Sequence, residues 1–131
     1  DDYYGYDDAI YVAARTLQTL SRTQQTLAEL RAEIPIYHST PEMRLDCSSD
    51  EEKFKIAKKA KNYFTSNFEC STIDGVRIKF GDGWGLVRAS NTQPVIVCRF
   101  EAKTENRMNE IKNSVMEKLN SFGTLHTSIG H

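Results

Sequence analysis

The chain has 131 residues, with 17 lysines and arginines against 18 aspartates and glutamates, a formal net charge of −1. That length suits one domain, or one domain with part of another, and it buries enough surface to fold without a metal or disulfide staple. The charge balance argues against nucleic acid or an anionic membrane as the main partner; no run approaches the ~20 apolar residues of a membrane span, and no charged-then-apolar start reads as a signal peptide.

The chain opens on Asp1 without a methionine and enters a helix almost at once, which suggests a piece of a longer protein. Asp7 or Asp8 caps a helix whose apolar residues Ile10, Ala13, Ala14, Leu17 and Leu20 recur at helical spacing. Leu27, Leu30 and Ile34 continue a second short helix that Pro35 closes. These two helices lack a sheet of their own and need a body to pack on. "PIYHSTP" then reads as a linker, with Pro41 forcing Thr40 into an extended shape.

After the linker the periodicity changes. Met43, Leu45 and Cys47 alternate with Glu42, Arg44 and Asp46, as in a half-buried strand. Ser49 and Glu52 stand in capping-box spacing ahead of a helix. Ile56, Ala57, Ala60, Tyr63 and Phe64 make its buried stripe, and Lys55, Lys58 and Lys59 make a solvated face. That lysine face could instead hold phosphate or nucleic acid, but no arginines or aromatics are interleaved with it. "GVRIKF", "WGLVRA" and "PVIVCRFEA" follow as antiparallel neighbours; the last is apolar on both parities, as a central strand would be. Thr104 caps a final helix with Met108, Ile111, Val115, Leu119 and Phe122 facing inward, and "GTLHTSIGH" reads as a loose tail. Strand, helix, three strands, helix predicts an α+β domain: a four-stranded antiparallel sheet with two helices on one face.

Most chemistry-bearing residues have a plain reading. Cys47, Cys70 and Cys98 are an odd count without a CxxC pair, so buried inert thiols in a reduced, cytoplasmic setting are expected. His38, His126 and His131 have no nucleophile motif beside them. Asp82 in "FGDGWG" is a lone carboxylate, too few for Mg²⁺ or Ca²⁺, and Asp-Gly suits a hairpin turn with positive φ angles. "RASNTQP" differs. A turn between adjacent strands needs no arginine, yet Arg88 is followed by Ser90, Asn91 and Thr92, three side chains able to donate. Turn amides can converge on an anion, and a guanidinium fork matches two phosphate oxygens. The same residues are also ordinary turn formers.

The stretch "DGVRIKFGDGWGLVRASNTQPVIVCRFEAKTENRMNEIK" closely resembles the C-terminal domain of the bacterial α-D-phosphohexomutases, the phosphomannomutase/phosphoglucomutase group. "YYGYDDAIYVAARTL" resembles the end of that family's third domain, and "YHSTPEMRLDC" the hinge into the fourth. The resemblance implies a TATA-binding-protein-like fold over residues 42–122, preceded by a helical remnant of an α/β domain at 1–37 and a hinge at 38–41, with a tail at 123–131. It also implies that Arg88, Ser90, Asn91 and Thr92, with the backbone at Ala89, grip the phosphate at the non-reacting end of a sugar, and that Ser39, Thr40 and Pro41 flex to close the site. Asn91, where relatives acting on glucosamine phosphates carry glycine, favours mannose or glucose. Gln93, pointing out of the turn, is expected to matter little.

Family members interconvert hexose 1-phosphate and hexose 6-phosphate using a phosphoserine, Mg²⁺ and a hexose 1,6-bisphosphate intermediate. The phosphoserine segment, the multi-aspartate metal loop and the sugar-reading loop do not occur in this chain. The implied partners are therefore a phosphosugar and the family's N-terminal domains, with neither nucleic acid nor membrane, and the chain alone is expected to be inactive. A separate reading of the residues is a non-catalytic interaction module that docks through the amphipathic helix at 7–20.

Overall fold

A computed structural model describes residues 3–127 and divides into two units, Asp1–Ile36 and Tyr37–His131. The first unit holds two helices, α1 (Ala9–Ser21) and α2 (Leu27–Ala32). Asp8 caps α1: its carboxylate accepts the Tyr11 amide at 2.9 Å and the Tyr3 hydroxyl at 2.6 Å. Those two bonds hold the Asp8 carboxyl below the usual range, the Tyr3 hydroxyl contributing most. α2 carries a full capping box between Thr26 and Glu29. Neither helix has a buried residue, and Ile10, Val12 and Leu17 are largely exposed.

The second unit is an antiparallel sheet with two helices, an α+β architecture as expected. Its elements run β1 (His38–Ser39), β2 (Met43–Asp46), α3 (Asp50–Asn67), β3 (Cys70–Ser71), β4 (Val76–Lys79), β5 (Gly83–Ala89), β6 (Val95–Ala102), α4 (Glu105–Asn120) and β7 (His126–Thr127). The sheet order is β3-β4-β5-β6-β2-β7, with β1 also on β6. The four strands read from alternation form its body, and three two-residue strands extend it. β6 is central, which explains its double apolar parity: Ile96, Cys98, Phe100 and Ala102 are fully buried under the helices, and Val95 and Val97 are nearly so on the other face.

One core fills the space between sheet and helices. Ile56, Ala60 and Phe64 from α3 and Met108, Ile111, Val115 and Leu119 from α4 pack on Leu45, Val76, Ile78, Val87 and the inward residues of β6. Burying a side chain of that size stabilises by roughly 1.5–3 kcal/mol, enough to select this face of each helix over any propensity effect. Cys47 and Cys98 lie in this core, and burial pushes the Cys98 thiol up to about 12.

Several local expectations need correction. Ser49 caps α3 by accepting the Glu52 amide at 3.2 Å, but the Glu52 carboxylate turns to Ser48, whose amide and hydroxyl both donate to it. The box has slipped by one residue, with Ser48 in place of the cap Ser49 as the donor to Glu52. In "GDG" the positive φ belongs to Gly81 (+77°), and Asp82 keeps a negative one. His38 and Ser39 are not open linker; they pair with Ala102 and Glu101 of β6. The tail is not loose from its start, because Leu125 packs on the core and β7 pairs with β2. An unpaired β2 edge would leave backbone groups unsatisfied, so the chain returns to cover it. His131 and the rest of the tail from residue 128 lie outside the described residues. Among the described residues, no helix is long and apolar enough to cross a membrane.

Candidate functional site

The turn joining β5 to β6 closes on its own backbone. The Ser90 amide donates to the Val95 carbonyl (3.0 Å), and the Val95 amide donates to the Gln93 carbonyl (2.8 Å). Its rear is stitched to neighbouring elements: the Cys47 amide donates to the Pro94 carbonyl (2.8 Å), and the Lys53 ammonium donates to the Gln93 carbonyl (2.9 Å). Ser90 is buried, and its hydroxyl oxygen accepts the Thr92 amide at 3.4 Å. Asn91 and Thr92 stand exposed at the front. The amides of Asn91 and Gln93 donate to nothing among the described residues. The turn thus engages its Gln93 and Pro94 carbonyls and keeps the Asn91 and Gln93 N–H groups in reserve, as an anion requires.

Arg88 lies at the end of β5, on the sheet face opposite α3 and α4. The register places Arg44 of β2 and Arg88 of β5 on either side of Val97, in one row across three strands. Two carboxylates address the Arg88 fork: Asp74 Oδ2 at 3.2 Å from Nη1 and Glu42 Oε2 at 4.0 Å from Nη2. The other Glu42 oxygen accepts Arg44 Nη1 at 3.4 Å. All these groups are partly or largely exposed, so each pair contributes about 0–1 kcal/mol at most. They orient the guanidinium without locking it.

Residues 42–118, more than half of the chain, match the family model of the phosphoglucomutase/phosphomannomutase C-terminal domain. The chain belongs to this family. It is similar to a phosphomannomutase/phosphoglucomutase of Pseudomonas putida, 46% identical over 114 residues that cover 85% of this chain and 24% of the relative. A phosphoglucomutase of Neisseria gonorrhoeae is 38% identical over 85% of this chain and 24% of its own. A phosphoglucosamine mutase of Methanococcus vannielii is 36% identical over 87% and 26%. A crystal structure of a phosphoglucomutase/phosphomannomutase family protein from Burkholderia thailandensis superposes with a TM-score of 0.73 at 34% identity, covering 94% of this chain and 26% of that one. The chain therefore spans about a quarter of the length of the relatives it matches.

Within this phosphohexomutase domain the remaining expected residues fall as follows. Ser39 is in β1; Thr40 is buried, its amide donating to the Phe100 carbonyl (2.9 Å) and its hydroxyl accepting the Phe100 amide (3.1 Å). Residues 38–40 are thus fastened to the sheet. Asp82 accepts Arg107 Nε at 3.0 and 3.1 Å, which holds its carboxyl below its ordinary value of 3.8 and ties the hairpin to α4. The sign is that of a depressed acid: this tie is complete above 3.8 and lost as pH falls through the lower folded value. Among the described residues no three His, Cys, Asp or Glu side chains converge, and Asp82 is already engaged, so the residues here do not fit Mg²⁺. Lys55 and Lys58 lie on the exposed face of α3, and Lys59 is exposed while donating to the Phe122 carbonyl at 3.1 Å.

Two site neighbours escaped the sequence reading. Gln93 is exposed as expected, but its side-chain oxygen accepts Arg44 Nη2, so it is a second strap on the turn. Lys53 is 1% exposed beneath that turn. Its signal lies in the spacing: 53, 56, 60 and 64 are one helical stripe, and only the residue type argues against burial.

Proposed function

We propose that this chain is the C-terminal part of a phosphohexomutase that interconverts the 1- and 6-phosphates of mannose or glucose, and that its turn at residues 88–92 grips the phosphate at the non-reacting end. The observation that carries this reading is the turn itself: its Gln93 and Pro94 carbonyls are already bonded, its Asn91 and Gln93 amides are in reserve, and a guanidinium stands beside it. A phosphate dianion offers Arg88 a bidentate, charge-assisted partner that outweighs two solvent-exposed carboxylates. The Ser90 hydroxyl, accepting from Thr92, keeps its own hydrogen to donate. Gripping only the phosphate lets the domain accept either end of a bisphosphate. On this reading Mg²⁺ and hexose 1,6-bisphosphate belong to the complete enzyme, and binding energy from the distal phosphate holds the reacting end in line.

Inorganic phosphate or glucose 6-phosphate titrated into the chain should shift the amide resonances of Arg88 to Thr92 and few others. Shifts confined to the Lys55, Lys58 and Lys59 face would overturn the assignment. The exposed apolar residues of α1 also suit a non-catalytic docking module, and such a module would leave the turn silent in the same titration.

Closure of the domain over substrate belongs to the same proposal. Because Thr40 is fastened to β6, the flexing falls at Pro35, Ile36 and Tyr37, ahead of the residues first expected. Ile36→Pro, which stiffens that step, should slow turnover several-fold in a mutase carrying this chain, with KM little changed. Unaltered turnover would place the hinge elsewhere.

A further inference from the structure

Lys53 breaks two local rules at once. A cation at the start of a helix opposes the helix dipole, and a charge buried to 1% exposure loses its hydration. A leucine or methionine would complete the stripe with Ile56, Ala60 and Phe64 at no such cost. What the lysine has instead is three neighbours: Asp50 Oδ1 at 2.5 Å, the Gln93 carbonyl at 2.9 Å and the Phe54 ring, 4.6 Å from its centroid. The Asp50 side chain is 67% exposed, so it neutralises the ammonium from the solvent edge while the loop carbonyl is met from within.

That carbonyl is the group most able to spoil an anion site. The peptide it belongs to ends in Pro94, which has no N–H, so it offers an incoming phosphate only a negative oxygen. We infer that Lys53 is a positioning residue for the phosphate turn: adding a second hydrogen bond to the one from the Val95 amide (2.8 Å), it holds the Gln93 carbonyl turned inward from the buried side, so that an anion at Asn91 and Thr92 meets amides rather than that oxygen. The inference rests on the phosphate-binding reading of the turn and names a residue outside the motif that the reading depends on.

The variant Lys53→Met separates positioning from packing. Replacing a buried charge by an apolar side chain of similar shape is commonly neutral or stabilising, and Asp50 then hydrates. The melting temperature should therefore hold or rise, while the Kd for inorganic phosphate, read from the Asn91 and Thr92 amides well below melting, rises about tenfold, as for loss of a charge-assisted hydrogen bond. A residue that only packs gives the reverse pattern: a lower melting temperature and an unchanged Kd. That result overturns the inference and leaves the phosphate reading standing. If the unsubstituted chain binds no phosphate at the turn, both fall. Should Lys53→Met fail to fold, the unsubstituted chain decides. Its Lys53 ammonium should give a slowly exchanging ¹⁵N–¹H signal coupled through the hydrogen bond to the Gln93 carbonyl carbon. Exchange as fast as that of Lys55 and Lys58 overturns the positioning role.

Discussion

Arg88→Ala, made in a mutase that carries this chain as its C-terminal quarter, should lower kcat/KM for hexose phosphate about 100-fold. The estimate follows from the bond lost: a charge-assisted contact to phosphate contributes about 1.5–3 kcal/mol, and each 1.4 kcal/mol is a factor of ten. Part of the loss should appear in KM, because the distal phosphate is held in the ground state too. The remainder should appear in kcat, because a sugar anchored at one end only is free to swing its reacting end out of line. Arg88→Lys keeps the charge and loses the planar fork, so it should recover only part of the activity. Stability is a clean control. The Arg88 side chain is 35% exposed and its carboxylate partners are more so, so the alanine variant should melt within a few degrees of its parent. Wild-type kinetics in Arg88→Ala would remove the clamp from this turn.

Gly75→Ala should be the most damaging single-methyl change in the domain. Gly75 has φ +72°, and a Cβ there would lie 2.4 Å from the Val87 carbonyl and 2.6 Å from Arg88 Cβ. The left-handed backbone costs a non-glycine residue roughly 1–2 kcal/mol, and forcing atoms into that contact about 1–3 more. A total of about 3 kcal/mol lowers the melting temperature of a domain of this size by roughly 12–24 °C. Gly81 supplies the comparison, since its φ is +77° but a Cβ there meets nothing within 4 Å. Gly81→Ala should therefore cost only the conformational part. Equal losses at the two positions would mean that the wall formed by Val87 and Arg88 is not where it is drawn. Because the clash bears on Arg88 itself, Gly75→Ala should also weaken phosphate binding in whatever fraction remains folded.

The two glycines show where sequence reasoning stops. A "DG" or "GDG" step announces a turn, but which residue takes the positive φ depends on how the flanking strands approach. The structure assigns it to Gly75 and Gly81 and not to Asp82. The helices were more legible. α4 keeps its cap at Thr104 and its stripe from Met108 to Leu119, because the apolar spacing alone decides which face is buried. α3 keeps Ile56, Ala60 and Phe64 for the same reason, while Ala57 and Tyr63 are only partly covered. The short strands β1, β3 and β7 were invisible, since two residues carry no alternation and form only where a neighbouring edge is left open.

By itself the sequence determined the α+β class, the helix stripes, the central strand and the family, because periodicity and the "RASNTQP" motif are properties of neighbouring residues along the chain. Only the tertiary structure decided what surrounds that motif: Arg44 beside Gln93, Asp74 and Glu42 beside Arg88, and Lys53 beneath the turn. These partners come from segments far apart in the chain, and strand register brings Arg44 into one row with Arg88. A lysine in a helix reads as solvated until the neighbouring backbone offers its buried ammonium a carbonyl. That pairing exists only once the sheet and α3 have packed.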